Sequence, residues 1–113
     1  ELRVQAETMI AEGRGNELML LPGWWYIISA DSYIDRLTTM PSTVETASQV
    51  NCPVLYIRGD QELQEAYPAE EFAAKCGGQC DVEIIKDCDH FYNGREEVIM
   101  ELIVSWLQKV LLP

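Results

Sequence analysis

The chain has few positively charged residues. It contains 8 Lys and Arg against 19 Asp and Glu, a formal net charge of −11 at pH 7 over 113 residues. Nucleic acids and anionic membrane surfaces are bound through clustered Lys and Arg, so this composition argues against both as partners. No apolar run approaches the roughly 20 residues that cross a bilayer, and no basic and apolar leader opens the chain. We therefore expect a cytoplasmic protein, and a first residue, Glu1, other than methionine agrees with a fragment of a longer one.

Histidine is rarer still, because His90 is the only one in the sequence. It lies in the turn-rich stretch 87–94, between a short apolar run, 82–85, and a long amphipathic run that ends at Leu112. Asp, Asn and Gly favour turns, and a loop between a strand and a helix often presents reactive groups. Two interpretations remain open: a general acid/base histidine, or a surface histidine beside the start of a helix.

The four cysteines, Cys52, Cys76, Cys80 and Cys88, do not follow the spacing of a zinc site. Such sites usually pair cysteines two to four residues apart and then repeat the pair. Cys76 and Cys80 supply one arm, but Cys88 and His90 make a poor second one. We therefore predict no metal and no cofactor. A disulfide between Cys76 and Cys80 stays open, and free, partly buried thiols in a reduced compartment are the simplest interpretation.

The first part of the chain combines two helical patterns with apolar runs. Residues 2–12 have apolar side chains at roughly helical spacing and are followed by two glycines. Ser29 predicts an N-cap for a second helix over 30–39. The apolar run 17–21 ends at a Pro-Gly pair. The aromatic run 24–28 favours core or interdomain packing, with the wall of a pocket as the alternative. We take residues 1–50 as a cap or connecting helical segment.

Residues 51–113 show the alternation of a parallel α/β structure. Pro53 begins an unbroken run of β-forming residues, which suits a strand buried on both faces. A second strand pattern and two amphipathic helical patterns follow, and right-handed crossovers are expected for that order. The predicted elements are a strand at 53–57, a helix at 69–76, a strand at 81–86 and a helix at 95–112.

Two loops with chemically useful side chains follow the two predicted strands. Asp60 and Glu62 come after the first strand, and Asp89 and His90 come after the second. Ligands gather at the carboxyl ends of strands in open α/β sheets. A carboxylate from the first loop is therefore expected to approach the imidazole. It would fix the tautomer and stabilise the imidazolium, as the acid does in a nucleophile–His–acid triad.

These strands and loops resemble parts of a known superfamily. The stretch 53–62 (PVLYIRGDQE), followed by 67–72 (YPAEEF), resembles the acid-bearing strand, loop and helix of the α/β-hydrolases. The stretch 89–92 (DHFY), before a terminal helix, resembles their histidine loop. The resemblance covers about residues 53–112 and implies the C-terminal part of an α/β-hydrolase-type parallel sheet flanked by helices. It also implies that residues 1–50 are a helical, cap-like segment.

The resemblance also implies roles for individual residues. His90 matches the catalytic histidine. The family's acid usually stands three residues after the glycine that ends the strand, and here Glu62 stands three residues after Gly59. Glu is less common than Asp at that position, so Asp60 remains an alternative acid.

The family's Gly-x-Ser-x-Gly nucleophile motif is absent. The resemblance therefore implies that the serine and the oxyanion-hole loop precede Glu1, and that this chain supplies the acid and the histidine of an esterase-like serine hydrolase and is inactive alone.

Expected partners are a small ester-like substrate, the missing N-terminal part of the same fold and, through an exposed sheet edge, a second copy. A non-catalytic binding module and a Cys/His metal domain are the alternatives. The serines that lack the motif are Ser29, Ser32, Ser42, Ser48 and Ser105.

Overall fold

The computed structural model describes residues 1–23 and 26–112. Within these residues the protein is mixed α/β, with five α-helices and two small two-stranded sheets. The chain divides into two compact units, Glu1–Pro41 and Ser42–Pro113. None of the helices in the described part of the chain is long and apolar enough to span a bilayer.

The first unit is a helix, a β-hairpin and a second helix. The elements are α1 (Leu2–Ala11), β1 (Leu18–Leu21), β2 (Tyr26–Ser29) and α2 (Ala30–Thr39). β1 and β2 pair antiparallel, so that the first residue of each strand lies opposite the last residue of the other. Both predicted helices are confirmed. The Ser29 hydroxyl accepts the Ser32 backbone N–H at 3.2 Å, which caps α2 as expected. The small core consists of Ala6, Met9, Met19 and Ala30.

The segment expected to be a helical cap or connection is only partly helical, because this unit also contains the β1–β2 hairpin. Burial alternates along β1, where Met19 and Leu21 are buried and their neighbours Leu18 and Leu20 are exposed. Such alternation is the signature of a strand with one face on a core. The sequence does not reveal this alternation, because all four residues of β1 are apolar. The aromatic run 24–28, for which core packing was expected, includes Trp24 and Trp25, which lie outside the described residues.

The second unit follows the predicted order of strand, helix, strand and helix, preceded by two short helical turns. β3 and β4 pair parallel, with Val54 opposite Cys80 and Gly59 opposite Ile85. This confirms a parallel α/β arrangement in this part of the chain. The elements are α3 (Thr43–Thr46), a 3-10 turn (Ala47–Gln49), β3 (Val54–Gly59), α4 (Ala69–Lys75), β4 (Cys80–Ile85) and α5 (Glu96–Leu111).

The boundary between the units lies nine residues before the predicted one, at Pro41–Ser42 instead of residue 50. The physical reason is backbone hydrogen bonding between the segment 42–50 and the turn after α4. The Gly77 N–H donates to the Ala47 carbonyl at 3.2 Å, and the Gly78 N–H donates to the Val50 carbonyl at 2.8 Å. The short helical turns therefore belong with the second unit.

The last helix, α5, is joined to the sheet by a polar contact. The indole N–H of Trp106 donates to a carboxylate oxygen of Asp81, in β4, at 2.7 Å. This hydrogen bond lowers the pKa of the Asp81 carboxyl. No residue of α5 is fully buried. Several of its apolar side chains are exposed, namely Val98, Met100, Ile103, Val104, Leu107 and Leu111.

The Trp106–Asp81 contact makes a testable prediction about how α5 is held. Trp106→Phe keeps a large apolar ring but removes the N–H donor, and Asp81→Asn removes the charge of the acceptor. Each variant should have a lower urea midpoint than the unmodified chain. The double variant should lose less than the sum of the two, because both weaken the same hydrogen bond. Full additivity in this double-mutant cycle would contradict the coupling of α5 to β4 through this contact.

Candidate active site

The two loops that leave the parallel strands meet at one edge of the sheet. Glu62 lies three residues beyond the end of β3, and His90 lies five residues beyond the end of β4. A carboxylate oxygen of Glu62 (Oε1) is 2.6 Å from Nδ1 of His90. The predicted approach of a carboxylate and the imidazole is therefore present, and Glu62 provides the carboxylate.

The Glu62 side chain is held from both of its oxygens. Its second oxygen, Oε2, accepts the Gly59 backbone N–H at 2.7 Å. The side chain is only 5 % exposed. A buried carboxylate is costly unless its oxygens are paired, and here each oxygen has a partner. The acid is consequently fixed in one orientation toward the ring.

His90, by contrast, is open to solvent. Its side chain is 53 % exposed, and Nε2 has no hydrogen-bond partner among residues 1–23 and 26–112. The imidazole lies near two aromatic rings, with centroid distances of 5.1 Å to Tyr67 and 5.3 Å to Phe91. The ring is thus positioned on its Nδ1 side while Nε2 remains available to another group.

The histidine loop crosses directly over the end of β3, where only glycine fits. A Cβ atom added to Gly59 would lie 2.2 Å from the Cys88 carbonyl oxygen and 3.0 Å from that of Asp89. The Gln61 N–H also donates to the Cys88 carbonyl at 3.2 Å. This backbone approach sets the distance between the two loops.

Asp60, the alternative acid, is directed at the backbone of the histidine loop. Its Oδ1 accepts the Cys88 N–H at 3.1 Å. Hydrogen bonds from the backbone of Asp87, and next from that of Cys88, lower the pKa of the Asp60 carboxyl. Asp60 makes no hydrogen bond to His90 within the described residues. Its position is that of an anchor for the loop that carries the histidine.

Asp89 organises its own loop. Its Oδ1 accepts the backbone N–H groups of Phe91 at 2.9 Å and Asn93 at 3.1 Å. Its Oδ2 accepts the Asn93 side-chain amide at 2.8 Å, and these bonds, that amide first, lower the pKa of Asp89. The loop needs this support because Asp87 and Tyr92 adopt positive φ angles of 51° and 57°, which are unfavourable for residues with a Cβ.

Two residues near the site were missed by the sequence analysis. Arg58, in β3, is buried and paired with Glu70 of α4, and Tyr67 lies beside the imidazole. A sequence signal for the first was present, since an arginine that interrupts an apolar strand run requires an acidic partner if it is buried. The choice of Glu70, twelve positions later, could not be made without the fold.

The cysteines do not gather around His90. Cys52 is exposed, Cys76 and Cys80 are half-buried, Cys88 is buried, and all four are free thiols. Burial raises the pKa of the Cys88 thiol. Within the part of the chain that the structure describes, no group of three or more His, Cys, Asp or Glu side chains could hold a metal ion. The disulfide and zinc hypotheses gain no support from this arrangement.

Comparison of the chain with protein-family models, with curated proteins and with solved structures found no match.

The close approach at Gly59 gives a prediction about stability. Gly59→Ala should destabilise the protein by about 3 kcal/mol or more, because backbone atoms on both sides must move apart. Gly94→Ala, in the histidine loop, is the control, because a Cβ there meets nothing within 4 Å and only the positive φ of 70° opposes it. That strain costs about 1–2 kcal/mol. Urea unfolding of the two variants measures the difference, and a Gly59→Ala variant as stable as Gly94→Ala would contradict the close approach.

The lowered pKa of Asp60 gives a prediction about pH. A carboxyl whose pKa is lower in the folded than in the unfolded state stabilises the fold above the unfolded pKa, and that contribution disappears as pH falls through the folded pKa. Asp60→Asn should therefore lower the urea midpoint at neutral pH. The two midpoints should converge as pH falls below the usual Asp pKa of about 3.9 toward the lower pKa of the folded state. The control is Glu71→Gln, an exposed change in the first turn of α4. It should leave the urea midpoint unchanged at both neutral and acidic pH. A constant difference across the pH range would contradict the contribution of the Asp60 charge.

Proposed function

We propose that Glu62 and His90 are the acid and the base of a Ser–His–acid triad that hydrolyses carboxylic esters, with the serine supplied by a segment that precedes Glu1. The observation that carries this proposal is the 2.6 Å contact between Glu62 Oε1 and His90 Nδ1. A carboxylate on Nδ1 selects the tautomer whose Nε2 lone pair is free to accept a proton. The 53 % exposure of the His90 side chain supports access for the nucleophile and the substrate.

The roles follow from proton movements at Nε2. As the serine oxygen attacks the ester carbonyl, Nε2 of His90 takes the serine proton, and the imidazolium is stabilised by the Glu62 carboxylate. The imidazolium then gives that proton to the departing alkoxide, which leaves as an alcohol. In the second half, Nε2 takes a proton from water, the resulting hydroxide attacks the acyl-enzyme, and the proton returns to the serine oxygen.

The sheet supports a partner that completes the same fold. Among the described residues no strand other than β4 pairs with β3. On its other edge the Gly59 N–H bonds Glu62 and the Ile57 carbonyl accepts the Tyr92 hydroxyl, but no strand lies there. Unpaired edges invite another strand. A parallel strand added on that side would end at the same edge as the loops of Glu62 and His90. A second copy of the chain at this edge is the alternative occupant.

A groove beside the histidine loop supports an apolar group on the substrate. The groove has a volume of about 360 Å³, which lies within the range of about 300–1,000 Å³ found for small-molecule sites. Its walls are the aromatic rings of Phe91 and Tyr92 and the apolar side chains of the first turns of α5. Glu96 is the only charged residue among those that line it. An uncharged acyl or alkyl group fits this surface better than an anion does.

A non-catalytic binding module is the second candidate, and one observation favours it. No serine or cysteine hydrogen-bonds Nε2 within the described residues. In such a module the Glu62–His90 contact would only stabilise the two loops. The two functions therefore differ in whether a nucleophile outside this chain reaches Nε2.

The first test is covalent labelling by a serine-directed fluorophosphonate. The isolated 113-residue chain should not react. The full-length product of the gene should be labelled stoichiometrically at the serine of a Gly-x-Ser-x-Gly sequence encoded before Glu1, and His90→Ala should abolish that labelling. Labelling of the isolated chain at Ser29 or Ser32 would show that the nucleophile is misassigned. A full-length protein that does not react would favour the binding module.

The kinetic prediction separates the two candidate acids in the full-length enzyme. Glu62→Gln should lower kcat about 10⁴-fold, since a neutral amide neither fixes the tautomer nor stabilises the imidazolium. Asp60→Asn should leave kcat within a few-fold at temperatures where the variant is folded, because that carboxylate contacts the loop backbone. A silent Glu62→Gln together with an inactive Asp60→Asn would identify Asp60 as the acid.

A further inference from the structure

A buried arginine lies one residue before the glycine at the end of β3. Arg58 is only 6 % exposed. Its Nη1 and Nη2 donate to the two carboxylate oxygens of Glu70 at 2.8 and 2.7 Å. This bidentate pairing lowers the pKa of the Glu70 carboxyl. It fixes the first turn of α4 against the strand.

The same guanidinium also holds the loop that passes beside the imidazole. Nη1 of Arg58 donates to the Tyr67 carbonyl at 2.8 Å, and the Ala69 N–H donates to that carbonyl at 2.9 Å. The Tyr67 backbone is therefore fixed between β3 and α4. Its ring lies over His90 at a centroid distance of 5.1 Å and an interplanar angle of 32°.

Stability alone does not account for this arrangement. Arg58 is buried while the Glu70 side chain is 45 % exposed, so the guanidinium gives up hydration that a half-exposed partner restores only in part. Moreover, Arg58 Nε is buried without a hydrogen-bond partner among the described residues, which adds a desolvation cost. Burial of Arg58 therefore costs free energy. Its hydrogen bond to the Tyr67 carbonyl fixes the position of Tyr67.

His90 needs such a neighbour. A single hydrogen bond contributes only about 1 kcal/mol net, and the torsion that turns an imidazole is broad and roughly two-fold. With a side chain about half exposed, the ring would readily turn away from Glu62. An aromatic ring stacked on it restricts this rotation.

We propose that Tyr67 is a positioning residue, held by Arg58 and Glu70, that keeps Nδ1 of His90 on Glu62 and Nε2 on the open side. Its consequence for catalysis rests on the proposed function. The positioning itself is a property of this chain and can be measured without turnover.

The experiment uses the fact that His90 is the only histidine, so its ring signals in NMR are unambiguous. The ¹⁵N shifts of Nδ1 and Nε2 report the tautomer. A low-field Nδ1–H proton reports the bond to Glu62. The unmodified chain, at a pH where histidine is neutral, should show the Nδ1–H tautomer and that proton.

The variants separate positioning from a merely structural contribution. Tyr67→Ala and Arg58→Lys should lose the low-field proton and give averaged ¹⁵N shifts, because a lysine cannot hold Glu70 and the Tyr67 carbonyl together. Tyr67→Phe should keep the signal, since the ring remains. Glu71→Gln, beside Glu70 on α4, is the matched control and should also keep it. Glu70→Gln replaces Arg58→Lys if that variant does not fold.

Two outcomes would overturn the proposal. Tyr67→Ala could retain the Nδ1–H proton, which would show that the ring does not hold the imidazole. Alternatively, Arg58→Lys and Glu70→Gln could lower the urea midpoint while retaining the proton, which would make the pair structural only. If the NMR signals respond as expected while the full-length protein resists fluorophosphonate, the positioning stands and the hydrolase function fails.

Discussion

The contact on which the second unit depends is the crossing of the histidine loop over Gly59. Because this residue has no side chain, the Cys88–Asp89 backbone passes over the end of β3 at a distance that no other residue allows. Three further contacts use that proximity. Asp60 and Gln61 bond the backbone of Cys88, and Glu62 reaches His90. A displacement of the loop by an ångström would weaken all of them together.

The acid–histidine pair is asymmetric in a way that suits its proposed use. Glu62 is buried and has a partner for each oxygen, whereas His90 is half exposed and has one nitrogen free. A rigid acid determines the tautomer, and an accessible base can exchange protons with a second group. A surface ion pair between two mobile side chains would do neither, and such pairs contribute little energy. Burial of the carboxylate is therefore the feature that distinguishes this pair from an incidental surface contact.

How far the sequence could predict this structure differed between the units. The apolar run of β3, the shorter run within β4 and the stripe of α5 indicated the order of the elements and the parallel pairing. Burial of the first strand on both faces was wrong, because Val54–Ile57 are only half-buried. The approach of Glu62 to His90 followed from that topology, because parallel strands bring their carboxyl ends to one edge. The β1–β2 hairpin was missed because a four-residue strand of four apolar letters has no visible period. The boundary near residue 41 was missed because the contacts that join 42–50 to α4 are made by backbone atoms, which any sequence possesses.

The parts that the sequence could not supply are long-range choices of partner. Several acidic residues lie near Arg58 in the sequence. Only the fold shows that its partners are Glu70 and the Tyr67 carbonyl. The same limit applies to the nucleophile. Within the described residues Nε2 of His90 has no hydrogen-bond partner and no strand pairs with the edge of β3 away from β4. In addition, α5 exposes Leu107 and Leu111 outside the groove. One further parallel strand, with its connecting segments, would account for all three observations. It would pair with the free edge of β3, cover apolar surface and bring its own carboxyl end to Nε2. A second copy of this chain satisfies the first two requirements but supplies none of the turn geometry that exposes a serine. The three observations together therefore favour a completed α/β sheet over self-association.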